Sequence, residues 1–300
     1  MSEMKAWING SLVPESEASV PLLSHGFSRG SAIFEILGVH VGPRGPATFR
    51  MDEHLGRLSR SAKSLGMELA YSSEEIATGV KDAVQANDMG RGLIKIFAYW
   101  GEVAVTKLVL DSKLDVAVLA IPWSEELGLD NTEPISACLS KWRKLHAETV
   151  PVTAKACANY LNGYQARKDA NDRGYAMGIM LSTDGFLAEG STESVFIVKD
   201  GILKTPPVGR VLPSITRKSI LQASKIYDIL SEERTISAAE VFDADEMFTA
   251  GTGIKVWPVS RFEDRDLDAP GPVTKKVIAM VDEIFQFRDD RFIEWFQFMN

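Results

Sequence analysis

Three two-residue turns constrain this chain most: Asn9-Gly10, Asp184-Gly185 and Asp200-Gly201, each set between short apolar runs. Asn-Gly and Asp-Gly supply the positive φ that tight hairpins demand, so each pair predicts two antiparallel strands. The opening "KAWINGSLVP" is the plainest case, and "AMGIMLSTDGFLAEGSTESVFIVKDGILKTPP" reads as an antiparallel meander around the other two. Helical spacing alternates with these strands. "SAIFEILGVH" is extended; "ATFRMDEHLGRLSRSAKSLGM" is a strand ending near Arg50 and then a helix capped around Asp52. Leu55, Leu58, Ala62 and Leu65 share one face of that helix. "SSEEIATGVKDAVQAND" predicts a second helix, and "GLIKIFAYWG" and "LDVAVLAIPW" predict strands.

The polar, turn-rich "SEELGLDNTEP" marks a junction between two domains. The expected division is residues 1–123, a linker over 124–134, and a second α/β domain over 135–300 that carries Lys155. Beyond the junction "ISACLSKW" reads as a strand and "VPVTAKA" as extended. "NYLNGYQARKDANDRG" suits a helix stopped by Gly174, and "SITRKSILQASKIYD" a helix that begins near Ser214. "DEMFTAGTGIKVWPV" is strand, Gly-rich turn and strand. A chain of 300 residues that mixes these elements is an α/β (α+β) protein large enough for two cores.

Several function classes are excluded early. A net charge of -8 argues against wholesale binding to nucleic acid or an anionic membrane, and no apolar run is long enough to span a bilayer. "MSEMKAWING" lacks the apolar core of a secretory leader. Cys138 and Cys157 form no ligand cluster, and the histidines (His25, His40, His54, His146) are scattered, so no metal site is expected. A reduced cytoplasmic setting follows as the expectation. Phosphate-loop, dinucleotide, GxSxG and HExxH patterns are all absent.

Lys155 stands out instead, set between Ala154 and Ala156 in "VPVTAKACANYLNGY". An ammonium against apolar groups is disfavoured, which frees the amine to attack a carbonyl; a lysine that snorkels to solvent is the plainer account. Glu189 in "GFLAEGSTESVF" falls at a strand end, where a carboxylate can hold a protonated ring nitrogen or simply face water. Two turns could cradle a phosphate. One is "LPSITR", through the amides of Ile215 and Thr216; the other is "AGTG", through Gly251 and Thr252. Both also suit ordinary caps. Arg50 could add a fixed positive charge, or be a surface arginine. One ligand asks for an amine, a carboxylate and a phosphate cradle together: pyridoxal 5′-phosphate.

The same residues carry a resemblance. "AIFEILG", "FRMDEHLGRLSRSAKSLGM", "TAKACANYLNGYQA", "GFLAEGSTESVFIVKDGILKTPP", "LPSITR", "AGTGIKVWPV" and "GPVTKK" follow one another in an order and spacing that run nearly end to end. By them the chain resembles the class IV (fold type IV) pyridoxal-phosphate aminotransferases, most closely the branched-chain aminotransferases. The resemblance implies the two-domain D-amino acid aminotransferase-like fold and a homodimer or a higher assembly. It also implies amino-group exchange between a hydrophobic L-amino acid and a 2-oxo acid such as 2-oxoglutarate. Carried across, Lys155 becomes the Schiff-base lysine, Tyr160 the partner of the cofactor's phenolic oxygen, and Glu189 that of its ring nitrogen. Arg50, Ile215, Thr216, Gly251 and Thr252 fall at the phosphate, and Leu212 against the ring. Phe34, Trp123, Thr252 and Gly253 fall at the substrate.

Departures concentrate on substrate recognition. Arg29 stands where the branched-chain enzymes have a tyrosine, Lys95 where they have an arginine, and Glu126 and Gly38 replace a tyrosine and an arginine. Arg29 or Lys95 is therefore expected to take the substrate carboxylate, and arginine has the better geometry for it. The serine-rich "AEGSTESVF" is nearer to D-amino-acid transaminases, and "VWPV" to aminodeoxychorismate lyases. An amine transaminase is a further alternative, and a cofactor-binding protein without turnover is the non-enzymatic one. The aromatic "FRDDRFIEWFQFMN" is expected to pack on a domain core or a partner subunit.

Overall fold

The computed structural model describes residues 3–253 and 255–300. By contact the chain divides into two units. One comprises the residues up to Leu127 together with Ala154–Ala158 and Asp289–Asn300; the other comprises Gly128–Thr153 and Asn159–Arg288. The short piece that carries Lys155 therefore groups with the first unit, although it lies in the later half of the chain.

The first unit is built on β1 (Lys5–Ile8), β2 (Ser11–Pro14), α1 (His25–Arg29), β3 (Ala32–Gly42) and β4 (Gly45–Phe49), followed by α2 (Met51–Ser64), α3 (Ser73–Ala86), β5 (Gly92–Tyr99) and β6 (Asp115–Pro122). The β1–β2 hairpin turns at Asn9 and Gly10, both at positive φ as the sequence predicts. With the C-terminal strand Phe296–Phe298 these form one antiparallel sheet, ordered C-terminal strand-β4-β3-β5-β6-β1-β2. The two-residue period sorts its side chains. Leu37, Ile94, Ile96, Val116 and Val118 point into a core closed by Leu55 and Leu58 of α2 and Ile76 and Val80 of α3. Each such leucine or isoleucine contributes roughly 2 kcal/mol by leaving water. Phe34, Lys95, Phe97 and Tyr99 occupy the opposite face of β3 and β5. The expected packing of the aromatic tail is met within this unit, where Phe292, Phe296 and Met299 are buried.

Helix α2 starts two residues earlier than its sequence cap suggests. Arg50 is the N-cap, in the left-handed region at φ 52° and without a side-chain cap bond, while Asp52 and Glu53 lie in the first turn. The acidic first turn suits the helix dipole and replaces the missing cap. Helix α3 has the full capping box between Ser72 and Glu75.

The second unit adds β7 (Ile135–Leu139), α4 (Tyr160–Asp172), β8 (Met177–Ile179), β9 (Ser194–Lys199), β10 (Ile202–Thr205), α5 (Ile215–Ile226), β11 (Ser231–Glu233), α6 (Ala238–Phe242), β12 (Glu246–Gly251), β13 (Lys255–Phe262), β14 (Arg265–Asp266) and α7 (Pro272–Phe285). Its sheet is ordered β11-β10-β9-β12-β13-β7-β8, with β14 paired to β13. The inner strands β10, β9, β12 and β13 are antiparallel, whereas β11, β7 and β8 join in parallel.

Two expectations are corrected here. The predicted meander is met in part: Asp200-Gly201 closes the β9–β10 hairpin, and Asp184-Gly185 turns a short antiparallel pairing in which Leu181 bridges Leu187 and the Met180 amide donates to the Glu189 carbonyl at 2.9 Å. The strand before that loop, β8, pairs instead with β7 in parallel. "VPVTAKA" is also not the extended segment expected. It is turn-rich, with a single antiparallel bridge from Ala156 to Ile33, because alanine, threonine and proline there offer no alternating apolar face. Helix α4 ends as expected, with Gly174 at φ 80° just past its C-cap.

Candidate active site

In the first unit the Lys155 segment is clamped to β3 and α2. The Phe34 amide donates to the Lys155 carbonyl at 3.0 Å, and the Lys155 amide donates to Ser61 Oγ of α2 at 3.0 Å. Two backbone bonds fix a turn that has no ladder of its own. The Lys155 ammonium then lies 4.8 Å from the centre of the Phe34 ring. Lys95, on β5, lies 5.2 Å from the same ring and 4.6 Å from that of Phe97. Among the described residues Lys95 pairs with no carboxylate. The positive field of Lys95 and Lys155 favours a thiolate at nearby Cys157, but burial outweighs it and pushes the thiol up.

Beneath this surface lies a charged cluster that sequence reasoning missed. Glu35, fully buried on the core face of β3, accepts from Arg57 Nε and Nη2 and from His54 Nδ1, all at 2.7 Å. Burial alone would raise the Glu35 carboxyl; the Arg57 charge and hydrogen bonds, helped by His54, hold it at about 2. His54 is pushed down, chiefly by burial. Only the period could have found this: Glu35 falls in step with Ile33 and Leu37, where an apolar residue belongs.

Arg50 is buried at the end of β4. Its amide donates to the Trp295 carbonyl at 2.6 Å, its guanidinium lies 4.5 Å from the Trp295 ring, and it pairs with Glu53 at 3.1 Å. Arg29 is exposed at the end of α1 and donates to the Val105 carbonyl at 2.9 Å. Trp123 is also exposed, with Arg91 5.5 Å from its ring. Phe34, Lys95 and Lys155 are thus brought together; Arg29 and Trp123 have other neighbours.

In the second unit Glu189 is largely buried. One of its oxygens pairs with Lys144, and the other accepts from the Leu212 amide at 3.3 Å. Tyr160 opens α4, and that helix is drawn close by Gly163, where any side chain would strike the Ser191 carbonyl in the turn after Glu189. Ile215 and Thr216 open α5 behind its Ser214 cap, so their amides have no carbonyl one turn back. Gly251 closes β12 and is followed by the Thr252–Gly253 turn into β13. Lys144 is the residue that sequence reasoning passed over here, because nothing in "SKWRKLHAE" sets it apart from its neighbouring cations.

The chain is similar to known proteins along most of its length. The family model for class IV amino-transferases matches residues 32–262. The branched-chain-amino-acid aminotransferase of Escherichia coli (strain K12) is 33% identical over 276 residues, 90% of this chain and 89% of that protein. The crystal structure of the branched-chain aminotransferase from the archaeon Thermoproteus uzoniensis with norvaline superposes with a TM-score of 0.94 at 33% identity, covering 100% of both chains. That of the branched-chain amino acid aminotransferase from Thermobaculum terrenum, in its PLP-bound holo form, gives 0.90 at 28% identity over 99% of both. The chain belongs to the class IV aminotransferases, enzymes of fold type IV that depend on pyridoxal 5′-phosphate.

The donor chemistry fits that cofactor. The first unit offers a primary amine held at both backbone ends and a buried guanidinium; the second offers an oriented carboxylate and a helix start with a glycine turn. Among the described residues no group of histidine, cysteine, aspartate and glutamate is fit to hold a metal, and no helix is long and apolar enough to cross a membrane.

Proposed function

We propose that this aminotransferase moves the amino group of a branched-chain or other hydrophobic L-amino acid to a 2-oxo acid such as 2-oxoglutarate, with Lys155 as the catalytic amine. The observation that carries the reading is the placement of Lys155 and Lys95 about one aromatic ring, Phe34. Bound pyridoxal 5′-phosphate supplies the carbonyl carbon for amine exchange and the ring that withdraws electrons from the substrate Cα. Lys155 Nζ takes up the proton that leaves that Cα, a role that needs an amine held still. The bonds of its backbone to Phe34 and Ser61 provide the hold.

Lys95 receives the substrate carboxylate. A half-buried ammonium beside two aromatic rings, with no carboxylate partner among the described residues, is a charge kept for a ligand. Arg29, although better shaped for bidentate binding, is exposed and already bonded to a carbonyl. Phe34 and Phe97 give the apolar wall that a hydrophobic side chain asks for. Glu189 holds the ring-nitrogen proton and Tyr160 the phenolic oxygen. Arg50 and the amides of Ile215, Thr216 and Thr252 hold the phosphate, with Gly251 leaving room for it. Leu212 covers the ring. The names of the similar proteins, branched-chain aminotransferases, support the substrate class.

The reading includes a homodimer. Leu22, Leu23, Phe27, Val105 and Leu108 are more than half exposed, and the bridge from Ser24 to Val103 draws their loops together. An apolar patch of this kind marks an association surface. A cytoplasmic setting is consistent with two free cysteines.

The test is direct. Lys155→Ala is expected to abolish turnover and the visible absorbance of the cofactor-loaded protein, and a variant that keeps both would refute the assignment. A donor panel of L- and D-amino acids and simple amines should favour L-leucine, L-isoleucine and L-valine; preference for a D-amino acid or an amine overturns the substrate class. Sedimentation should give twice the mass of the chain.

A further inference from the structure

Lys144 is a buried cation with, among the described residues, a single anionic partner. It lies in the irregular stretch between β7 and α4, where its amide donates to the Leu181 carbonyl at 2.9 Å, and it is 8% exposed. Burying an ammonium is costly unless a carboxylate meets it. Among the described residues that carboxylate is Glu189, whose Oε1 contacts the ammonium while Oε2 accepts from the Leu212 amide. Two donors from two loops thus hold the Glu189 side chain, which would otherwise lose rotamer freedom only on binding a ligand.

The arrangement has a consequence for charge. An ionised carboxylate has about four acceptor sites, so room for a third donor remains. A protonated ring nitrogen arriving there meets a carboxylate whose negative charge is already balanced. Without Lys144 the same ring would meet an unpaired buried carboxylate and be held far more strongly.

We propose that Lys144 is a positioning residue that acts through Glu189: it aims the carboxylate and, by sharing its charge, limits how tightly the site grips a protonated ring nitrogen. The inference rests on the proposed function, which puts the cofactor ring at Glu189. A site that held the ring proton without restraint would bind the cofactor's aminated form tightly and give it up to the second half-reaction reluctantly. Lys144 is the group that trims this excess.

The experiment compares two ligands on the full-length apo-protein by calorimetry: pyridoxamine 5′-phosphate and its analogue with CH in place of the ring nitrogen. The ratio of their affinities reads the Glu189–ring contact alone. In wild type the natural ligand binds more tightly. Lys144→Met is expected to raise that ratio by about tenfold, since the carboxylate loses its competing cation. Lys144→Arg restores the wild-type ratio. Lys144→Gln, which keeps a polar head, is expected to raise it as Met does and serves if the Met variant does not fold. A merely structural lysine would weaken both ligands alike, so a ratio unchanged or lowered in Met and Gln overturns the inference. A wild-type ratio of unity is a different failure: it removes the ring from Glu189, and the inference with it, while leaving the Lys155 test to stand by itself.

Discussion

Arg57 grips Glu35 through two parallel bonds, Nε to Oε1 and Nη2 to Oε2, both at 2.7 Å, within the core between β3 and α2. The pair lies one residue along β3 from Phe34, whose amide holds the Lys155 carbonyl. It therefore ties the helix that carries Ser61 to the strand that carries Phe34, and both hold the segment that carries Lys155. Removing one partner leaves the other charge buried and uncompensated. Glu35→Gln is expected to destabilise the protein by about 3 kcal/mol or more, measured by urea denaturation. A variant within about 1 kcal/mol of wild type would show that the pair carries little.

The same cluster gives stability a pH dependence with a fixed sign. The Glu35 carboxyl sits at about 2 against an ordinary 4.5, so the unfolded chain takes up its proton first and stability is lost as pH falls through that interval. His54 is pushed below its ordinary 6.5, chiefly by burial, so the unfolded chain also gains this proton first. Its share of the loss begins as pH drops below 6.5. His54→Gln, which can still donate to Glu35, should flatten the upper part of the denaturation profile relative to wild type and leave the lower part. Superimposable slopes between pH about 7 and 5 would contradict a neutral buried His54.

How legible was this in the sequence? The hairpin at Asn9-Gly10, the starts of α3 and α5, and Gly174 after α4 depend on backbone conformation and local caps, which neighbouring residues dictate. The parallel pairing of β8 with β7 was not legible, because a partner some 40 residues away leaves no mark on three residues. Among site residues, Lys155 and Glu189 stood out by their small or glycine-rich neighbours. Lys144 and Trp295 did not, since each acts through a residue distant in sequence, and their own surroundings carry only ordinary charge and aromatic content.

Lys95 should reveal itself in substrate binding. Lys95→Met is expected to raise KM for L-leucine about tenfold, equivalent to about 1.4 kcal/mol, with a smaller change in kcat. Arg29→Met should leave KM within about twofold, because its guanidinium is exposed and bonded to Val105. Equal losses for both variants, or none for either, would take the carboxylate away from Lys95.

Arg50 holds a backbone conformation that costs a non-glycine residue roughly 1 kcal/mol. Such strain at the end of a strand is kept where the side chain has work that glycine could not do. Trp295 braces that side chain, so Trp295→Leu should weaken pyridoxal 5′-phosphate binding about threefold through loss of the cation–π contact. Arg50→Met should weaken it by about tenfold or more. Neither change should alter the affinity for pyridoxal without its phosphate; an equal loss for both ligands would place Arg50 elsewhere in the site.

Gly163 links helix packing to the site. A glycine at the fourth position of α4 sacrifices up to about 1 kcal/mol of helix propensity. It is kept because an added Cβ would collide with the Ser191 carbonyl, which is backbone and cannot swing aside. Gly163→Ala must therefore part α4 from the turn after Glu189. The expected cost is about 2 kcal/mol in stability, against the gain that alanine brings to an unhindered helix. Because Tyr160 opens the same helix, cofactor affinity should fall with it. Gly174→Ala, whose Cβ meets nothing, strains only a positive φ past the helix end and should lower stability while leaving cofactor affinity unchanged. If Gly163→Ala also leaves cofactor affinity unchanged, the close approach of α4 to Ser191 serves packing alone.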